Sequence, residues 1–539
     1  MKGNSKHSKL RMLRIAVSVV LFSLITFYFL DFAEITGHNS WLERVQLVPA
    51  LLSGSMVIVL VLLVLTLLFG RVYCSSICPM GVFQDLFNWM ARKMNKKKKY
   101  GYRPERKWLR WGILAVAVIA WFADFTFLAG LVEPYSAYGR MAANVFSPVY
   151  MALNNLLAWV FNSFGNYTFY FVDISIRAVA SFVVALLTLA IVAHFAFHWG
   201  RTYCNTICPV GTFLGFFSRF SWFKLHIDTD KCNNCGLCGL KCKGYCIDTK
   251  NHKIDYSRCI TCFDCLDNCH KGAMTYGLRK KALPAEAVSA KTEISEETPE
   301  VTPKSVAQQS VAAPADDSRR RFILTSVATA AAIPVALAGK QTASLFADDF
   351  KPSERMVPLS PPGSVSHSHF LKHCTSCHLC VTKCPSHVLK PALLEYGLGG
   401  FMQPMMDFEK GFCNFDCTVC GDVCPNGAIK PLTVEQKHKT QMGRVVFIQQ
   451  NCIVERDHTS CGACSEHCPT QAVAMVTYKD GLTIPKVDPE ICVGCGGCEY
   501  VCPAKPYKAI YIEGNAVQQE AKPFVEEKKE DVVIDDFGF

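Results

Sequence analysis

The sequence predicts a multi-domain chain: an α-helical membrane domain of four spans, a fifth export-type segment further on, and small α+β cysteine-rich modules. Three observations predict it. Apolar runs long enough for a bilayer core of about 30 Å crowd the N-terminal part of the chain. A motif occurs twice, G-R-V-Y-C-S-S-I-C-P-M-G-V-F at residues 70–83 and G-R-T-Y-C-N-T-I-C-P-V-G-T-F at 200–213. Of the 29 cysteines, 24 fall into six local groups of four.

The net charge of +11 does not indicate nucleic acid, because the basic residues cluster in segments flanking apolar runs. That distribution orients a membrane protein. A basic N-terminus without acids precedes the apolar run 15–30, read as a retained first span with its N-terminus in the cytoplasm. Residues 47–69 form the second span. Residues 71–108 then carry ten Lys/Arg against two acids, including the run Lys96 to Lys99, a positive-inside anchor. Residues 109–130 form the third span and 172–199 the fourth. The apolar stretch 149–164 holds Asn154 and Asn155 at its centre. A crossing there would throw the second motif to the opposite face from the first, so it reads as an interfacial helix or cap. The membrane domain is thus 1–230, with both motifs on one side.

Group one is Cys232, Cys235, Cys238 and Cys242, and group two Cys259, Cys262, Cys265 and Cys269, in a module at 231–277. Residues 278–317 read as a flexible linker. S-R-R-R-F-I before an Ala-rich run makes 318–340 look like a twin-arginine export signal in mid-chain, a route suited to folded cargo. The module at 341–515 holds Cys374, Cys377, Cys380 and Cys384; Cys413, Cys417, Cys420 and Cys424; Cys452, Cys461, Cys464 and Cys468; and Cys492, Cys495, Cys498 and Cys502. Residues 516–539 read as an acidic tail.

Three thiols in a tight loop and a fourth, remote one suit [4Fe–4S] clusters of ferredoxin-like modules, the fourth cysteine serving the neighbouring cluster. Zinc sites use separated C-x-x-C pairs instead. Six clusters are expected. Proline follows the fourth cysteine in groups three to six, but Lys243 and His270 stand there in the first pair. Cys242 is the expected second-cluster ligand, with Cys246 as the alternative. Cys74, Cys78, Cys204 and Cys208 lie in C-x3-C-P pairs, and one pair alone cannot saturate a cubane. Together they can ligate an additional centre, form redox disulfides, dock a neighbouring module, or simply pack. Asp124 is the one acid well inside an expected span, a candidate for proton or quinone chemistry, with Glu133 or Asp173 as candidate companions at the outer face.

With the paired C-x3-C-P motifs, four spans and the following two-cluster segment, residues 1–277 resemble the NapH-type membrane quinol dehydrogenases. Residues 318–510, with a twin-arginine signal and four cysteine groups, look like NapG-type periplasmic ferredoxins. The resemblance implies a fusion of the two partners in a bacterial inner membrane. It implies menaquinol oxidation and electron delivery to a periplasmic terminal reductase or multihaem cytochrome, and an essential role for Cys74, Cys78, Cys204 and Cys208. A redox maturation factor supplying a metalloenzyme client is the rival reading. One difficulty stands: modules on opposite sides of a bilayer core of about 30 Å need a relay.

Overall fold

The computed structural model describes residues 5–31, 37, 41–95, 99–174, 176–278, 353 and 355–523. The described residues from 5 to 278 and from 353 to 523 form one compact unit. The linker beyond 278 and the twin-arginine-like segment 318–340 lie outside the described residues.

Among the described residues, two helices are long and apolar enough to cross a membrane, within α1 (Ser5–Leu30) and α10 (Val179–Trp199). At 1.5 Å per residue, the 26 residues of α1 extend about 39 Å and the 21 of α10 about 31 Å. After the short α2 (Trp41–Arg44), the expected second span is broken into α3 (Leu47–Leu52) and α4 (Met56–Phe69) at Ser53, Gly54 and Ser55. The expected third span is broken into α6 (Lys107–Phe122) and α7 (Thr126–Val132), α5 (Pro79–Met94) lying between the two pairs. Both breaks contain a left-handed residue, Gly54 at φ +74° and Asp124 at φ +63°, a conformation no α-helix continues through. Hydropathy registers apolar length but not this interruption.

The buried α8 (Pro134–Met141) follows, then α9 (Ser147–Ser163), the stretch expected to be interfacial. Asn155 bonds Val172 in both directions at 2.8 Å, folding the returning chain back along α9. Asn144 before it reaches His378, at 3.0 Å, and Arg177 after it reaches His387, at 3.1 Å. The chain therefore leaves and returns on one face, beside the C-terminal module.

Each C-x3-C segment forms a single π-helical turn, Tyr73–Ile77 and Tyr203–Ile207. Each then opens a helix with proline at its first position, Pro79 in α5 and Pro209 in α11 (Pro209–Ser218). Proline suits that site because its fixed φ is helical and the missing N–H has no intrahelical partner there.

The first cysteine module is closed by antiparallel β1 (Phe223–Ile227) and β4 (Met274–Leu278), with a small ladder of β2 (Ile247–Asp248) and β3 (Lys253–Ile254). In the C-terminal module β5 (Leu389–Pro391) pairs β6 (Pro404–Met406), β7 (Thr440–Phe447) pairs β10 (Ile510–Glu520), and β8 (Val473–Thr477) pairs β9 (Thr483–Val487). Residues 516–520, assigned from sequence to the acidic tail, belong to β10. The modules sit at opposite ends of α1. Arg11 near its start pairs with Asp264 and Asp267 of the first module, while Asp31, just past its end, pairs with Lys383 of the second.

Candidate iron–sulfur centres and the thiol quartet

None of the 29 cysteines is joined in a disulfide. The two short modules bring three local cysteines and one from the paired group together at each site. Cys232, Cys235, Cys238 and Cys269 line a cavity of about 270 Å³. Cys259, Cys262 and Cys265 face Cys242. Cys246 stands 3.4 Å from Cys242, sulfur to sulfur, and also reaches Cys259, so both candidates for the remote position are at hand. In the second module Cys374, Cys377 and Cys380 lie within electrostatic range of Cys424, and Cys413 and Cys420, with Cys417 near Cys420, within range of Cys384. Cys452, Cys461, Cys464 and Cys502 line one pocket, and Cys492, Cys495 and Cys498 face Cys468.

The residues present fit cubane ligation. Backbone N–H groups point at sulfurs, Gly494 to Cys492 at 3.3 Å and Ile429 to Cys424 at 3.5 Å, the donors that stabilise a metal-bound thiolate. Lys437 Nζ lies 3.4 Å from Cys413 Sγ.

Cys74, Cys78, Cys204 and Cys208, all at most 4% exposed, form one buried group with the two repeats related crosswise. Arg71 Nη2 donates to the Cys204 carbonyl at 3.2 Å and approaches Cys74 Sγ at 3.6 Å. Arg201 Nη1 donates to the Cys74 carbonyl at 2.7 Å and stands 4.0 Å from Cys204 Sγ. Gln84 Nε2 donates to Cys204 Sγ at 3.1 Å and the Gly211 N–H to Cys208 Sγ at 3.3 Å. A Cβ on Gly81 would come within 2.3 Å of the Cys74 carbonyl, and one on Gly211 within 2.1 Å of the Cys204 carbonyl. The second glycine of each motif is therefore a space requirement.

This quartet connects to both modules. Arg71 and Arg110 each donate to the carbonyl of Ser257, two residues before Cys259, at 3.1 and 3.0 Å. Asp85 gathers Arg14, Arg201 and Lys243, linking the second motif to the first module. Burial pushes the Asp85 carboxyl up, but these cations outweigh it and hold it far below the usual carboxylate range. Toward the other module, the Tyr203 hydroxyl donates to the carbonyl of Val132, which precedes Glu133. Glu133 caps α8, accepting from the N–H groups of Tyr135 and Ser136. Ser136 Oγ meets Thr375 Oγ1 at 2.7 Å, next to Cys374, and Arg140 donates to the Thr375 and Ser376 carbonyls. A Cβ on Gly139 would approach the Cys377 carbonyl to 2.6 Å.

Asp124 is placed differently from the sequence expectation. It occupies the break between α6 and α7, its side chain is 55% exposed, and it pairs with Lys372 at 3.5 Å. The acid buried nearby is Glu133, at 3% exposure. Arg177 reaches His387, and no ion pair to Asp173 forms among the described residues. Sequence reasoning missed the roles of Arg71 and Arg201, although their recurrence beside the cysteines was a usable signal. It missed the Asp31–Lys383 pair entirely, since nothing local marks two residues so far apart in the chain.

Comparison with known proteins agrees with this chemistry. A 4Fe-4S binding domain family matches residues 53–97 and 180–228, the two C-x3-C-P segments, and a 4Fe-4S dicluster domain family matches 459–505. The ferredoxin-type protein NapG of Escherichia coli (strain K12) is 31% identical over 199 residues, 34% of this chain and 81% of the relative. NapF of the same strain, also a ferredoxin-type protein, is 28% identical over 157 residues, 29% of this chain and 87% of the relative. The methylamine utilization ferredoxin-type protein MauM of Methylophilus methylotrophus is 29% identical over 211 residues, 36% of this chain and 88% of the relative. No solved structure matches.

Proposed function

Since this chain belongs to the NapG-type ferredoxin proteins, we propose that it is a fused membrane and ferredoxin unit that oxidises menaquinol and delivers electrons to a periplasmic reductase or multihaem cytochrome. The first module is cytoplasmic and the C-terminal module periplasmic in this reading. The six cysteine sets hold [4Fe–4S] clusters, whose chemistry when bound is one-electron transfer. A quinol gives up two electrons and two protons, so its electrons leave singly. Cys74, Cys78, Cys204 and Cys208 hold a further centre that answers the crossing problem.

The observation that carries this reading is the position of the quartet. It is bonded through Arg71 and Ser257 to the module at one end of α1. Through Tyr203, Glu133 and Ser136 it reaches the Thr375 loop at the other. Arg71 and Arg201, both fully buried, would offset thiolate charge there. Docking alone would not need four thiols facing one another.

Anaerobically purified protein should carry about four iron atoms for each of the six sets, with an excess that disappears in Cys74→Ser/Cys204→Ser while the other sets stay loaded. Unchanged iron and an unchanged EPR spectrum in that variant would remove the additional centre. Membranes containing the wild-type chain should oxidise a quinol catalytically with an artificial acceptor. Absence of turnover would favour the maturation-factor reading. Tags at residues 240 and 480 reporting the same compartment would overturn the two-sided arrangement.

A further inference from the structure

A cavity of about 300 Å³ lies where the two broken helices meet. Its walls come from α3, α6, α7 and α11, and they are apolar nearly throughout. The carboxylate residue in the wall is Glu133. The cavity also touches Pro209, next to Cys208, and Thr375, next to Cys374. Leu51, Val118 and Phe213 in the same wall are exposed on the outer surface of the helical domain. Such a cavity admits a ligand from lipid, seats it in apolar surroundings, and offers one acidic group beside two sets of redox cysteines. Interrupted membrane helices commonly form sites of this kind, because the break frees space and polar backbone at depth.

We propose that this cavity is the hydroquinone site: an isoprenoid hydroquinone enters between Leu51 and Phe213, and one ring hydroxyl hydrogen-bonds to Glu133. The proposal rests on the quinol reading above and gives it a place. Conversion to the quinone breaks two O–H bonds and releases two protons and two electrons. The electrons pass singly to one-electron acceptors of the iron–sulfur class at the neighbouring cysteines. Glu133 takes the protons in turn.

A route onward exists toward the end of α1 that carries the C-terminal module. Tyr135 lies within electrostatic range of Glu133, Glu43 and Tyr28. The Tyr135 hydroxyl, Glu43 Oε2, the Tyr28 hydroxyl and Gln46 Nε2 are buried polar atoms with no hydrogen-bond partner among the described residues. Groups of that sort are ordinarily satisfied by ordered water, which also conducts protons. This places proton release on the side of the C-terminal module, at Glu43 and not at Asp124.

The test uses the iron-loaded full-length protein in detergent and an azido-naphthoquinone photolabel competed by a long-chain naphthoquinone. Competable label is expected on peptides covering residues 107–133 or 209–218. Ala117→Phe and Ala129→Phe, each filling the cavity, should cut labelling at least tenfold with iron content and visible spectrum unchanged. Two independent fillings guard against one that misfolds. Label that is competable but lies elsewhere, and is undiminished in both variants, overturns the cavity while leaving quinol oxidation standing. No competable label anywhere overturns both. Glu133→Gln, with iron content and visible spectrum monitored, should lose the rise of hydroquinone oxidation rate with pH. A wild-type pH profile in that variant would overturn its role as proton acceptor.

Discussion

Replacing Lys383 by methionine should release the C-terminal module from the helical domain without emptying its cysteine sets. Lys383 Nζ lies 3.0 Å from Asp31 Oδ2 and 3.1 Å from the Asp31 carbonyl, over the Tyr28 ring at 4.6 Å. Both side chains are 1% exposed. Breaking one side of a buried ion pair costs roughly 3–5 kcal/mol, or two to three and a half orders of magnitude in the docking equilibrium. Removing both costs far less, because a buried ion pair gains little over an apolar pair of similar shape. Hydrogen exchange at the amides of residues 134–141 and 375–378, measured on intact protein with its iron content monitored, reports docking directly. Lys383→Met should expose both segments, and Lys383→Met combined with Asp31→Leu should restore most of the protection. Equal exposure in the single and double variants would refute the reasoning, since the damage would then lie in lost packing and not in the broken ion pair.

Three further outcomes are expected. Burial raises the Glu43 carboxyl to about 7 from an ordinary 4.5, so the folded state holds a proton that the unfolded chain gives up first. Stability should fall as pH rises from about 4.5 to about 7 and level off above; in thermal unfolding, Glu43→Gln should gain up to about 3 kcal/mol at pH 8 and almost nothing at pH 4. Gly139→Ala sets a methyl against the Cys377 carbonyl and should cost about 1–3 kcal/mol of docking, visible as protease sensitivity of the intact chain. Lys437→Met removes an ammonium 3.4 Å from Cys413 Sγ and should lower that centre's midpoint potential by roughly 60 mV or more, the one-electron equivalent of about 1.4 kcal/mol, in a redox-titrated EPR experiment.

Cysteine spacing carried the chemistry because a cubane imposes three ligands within one loop, and the pairing of Cys384 with the Cys413 loop follows the same rule. The helical domain was legible in part. α1 and α10 are uninterrupted and read directly from hydropathy, whereas the breaks at Gly54 and Asp124 depend on backbone conformations that composition does not register. Asp124 drew attention as an acid in an apolar run, yet the turn it occupies carries it out to Lys372. Glu133 drew less, and only the folded chain shows that its carboxylate caps α8 while lining a cavity. The crosswise contacts of Arg71 and Arg201 are a property of two motifs brought face to face, which neither motif contains by itself.

The exchange of fourth cysteines between neighbouring loops makes two centres the smallest complete building block. A chain truncated or proteolysed between Cys384 and Cys413 would strand ligands on both sides of the cut, and no single site could be filled to completion from one fragment. Loss and gain of iron should therefore come in steps of two, which gives a cell inspecting the product a sharp distinction between finished and defective copies.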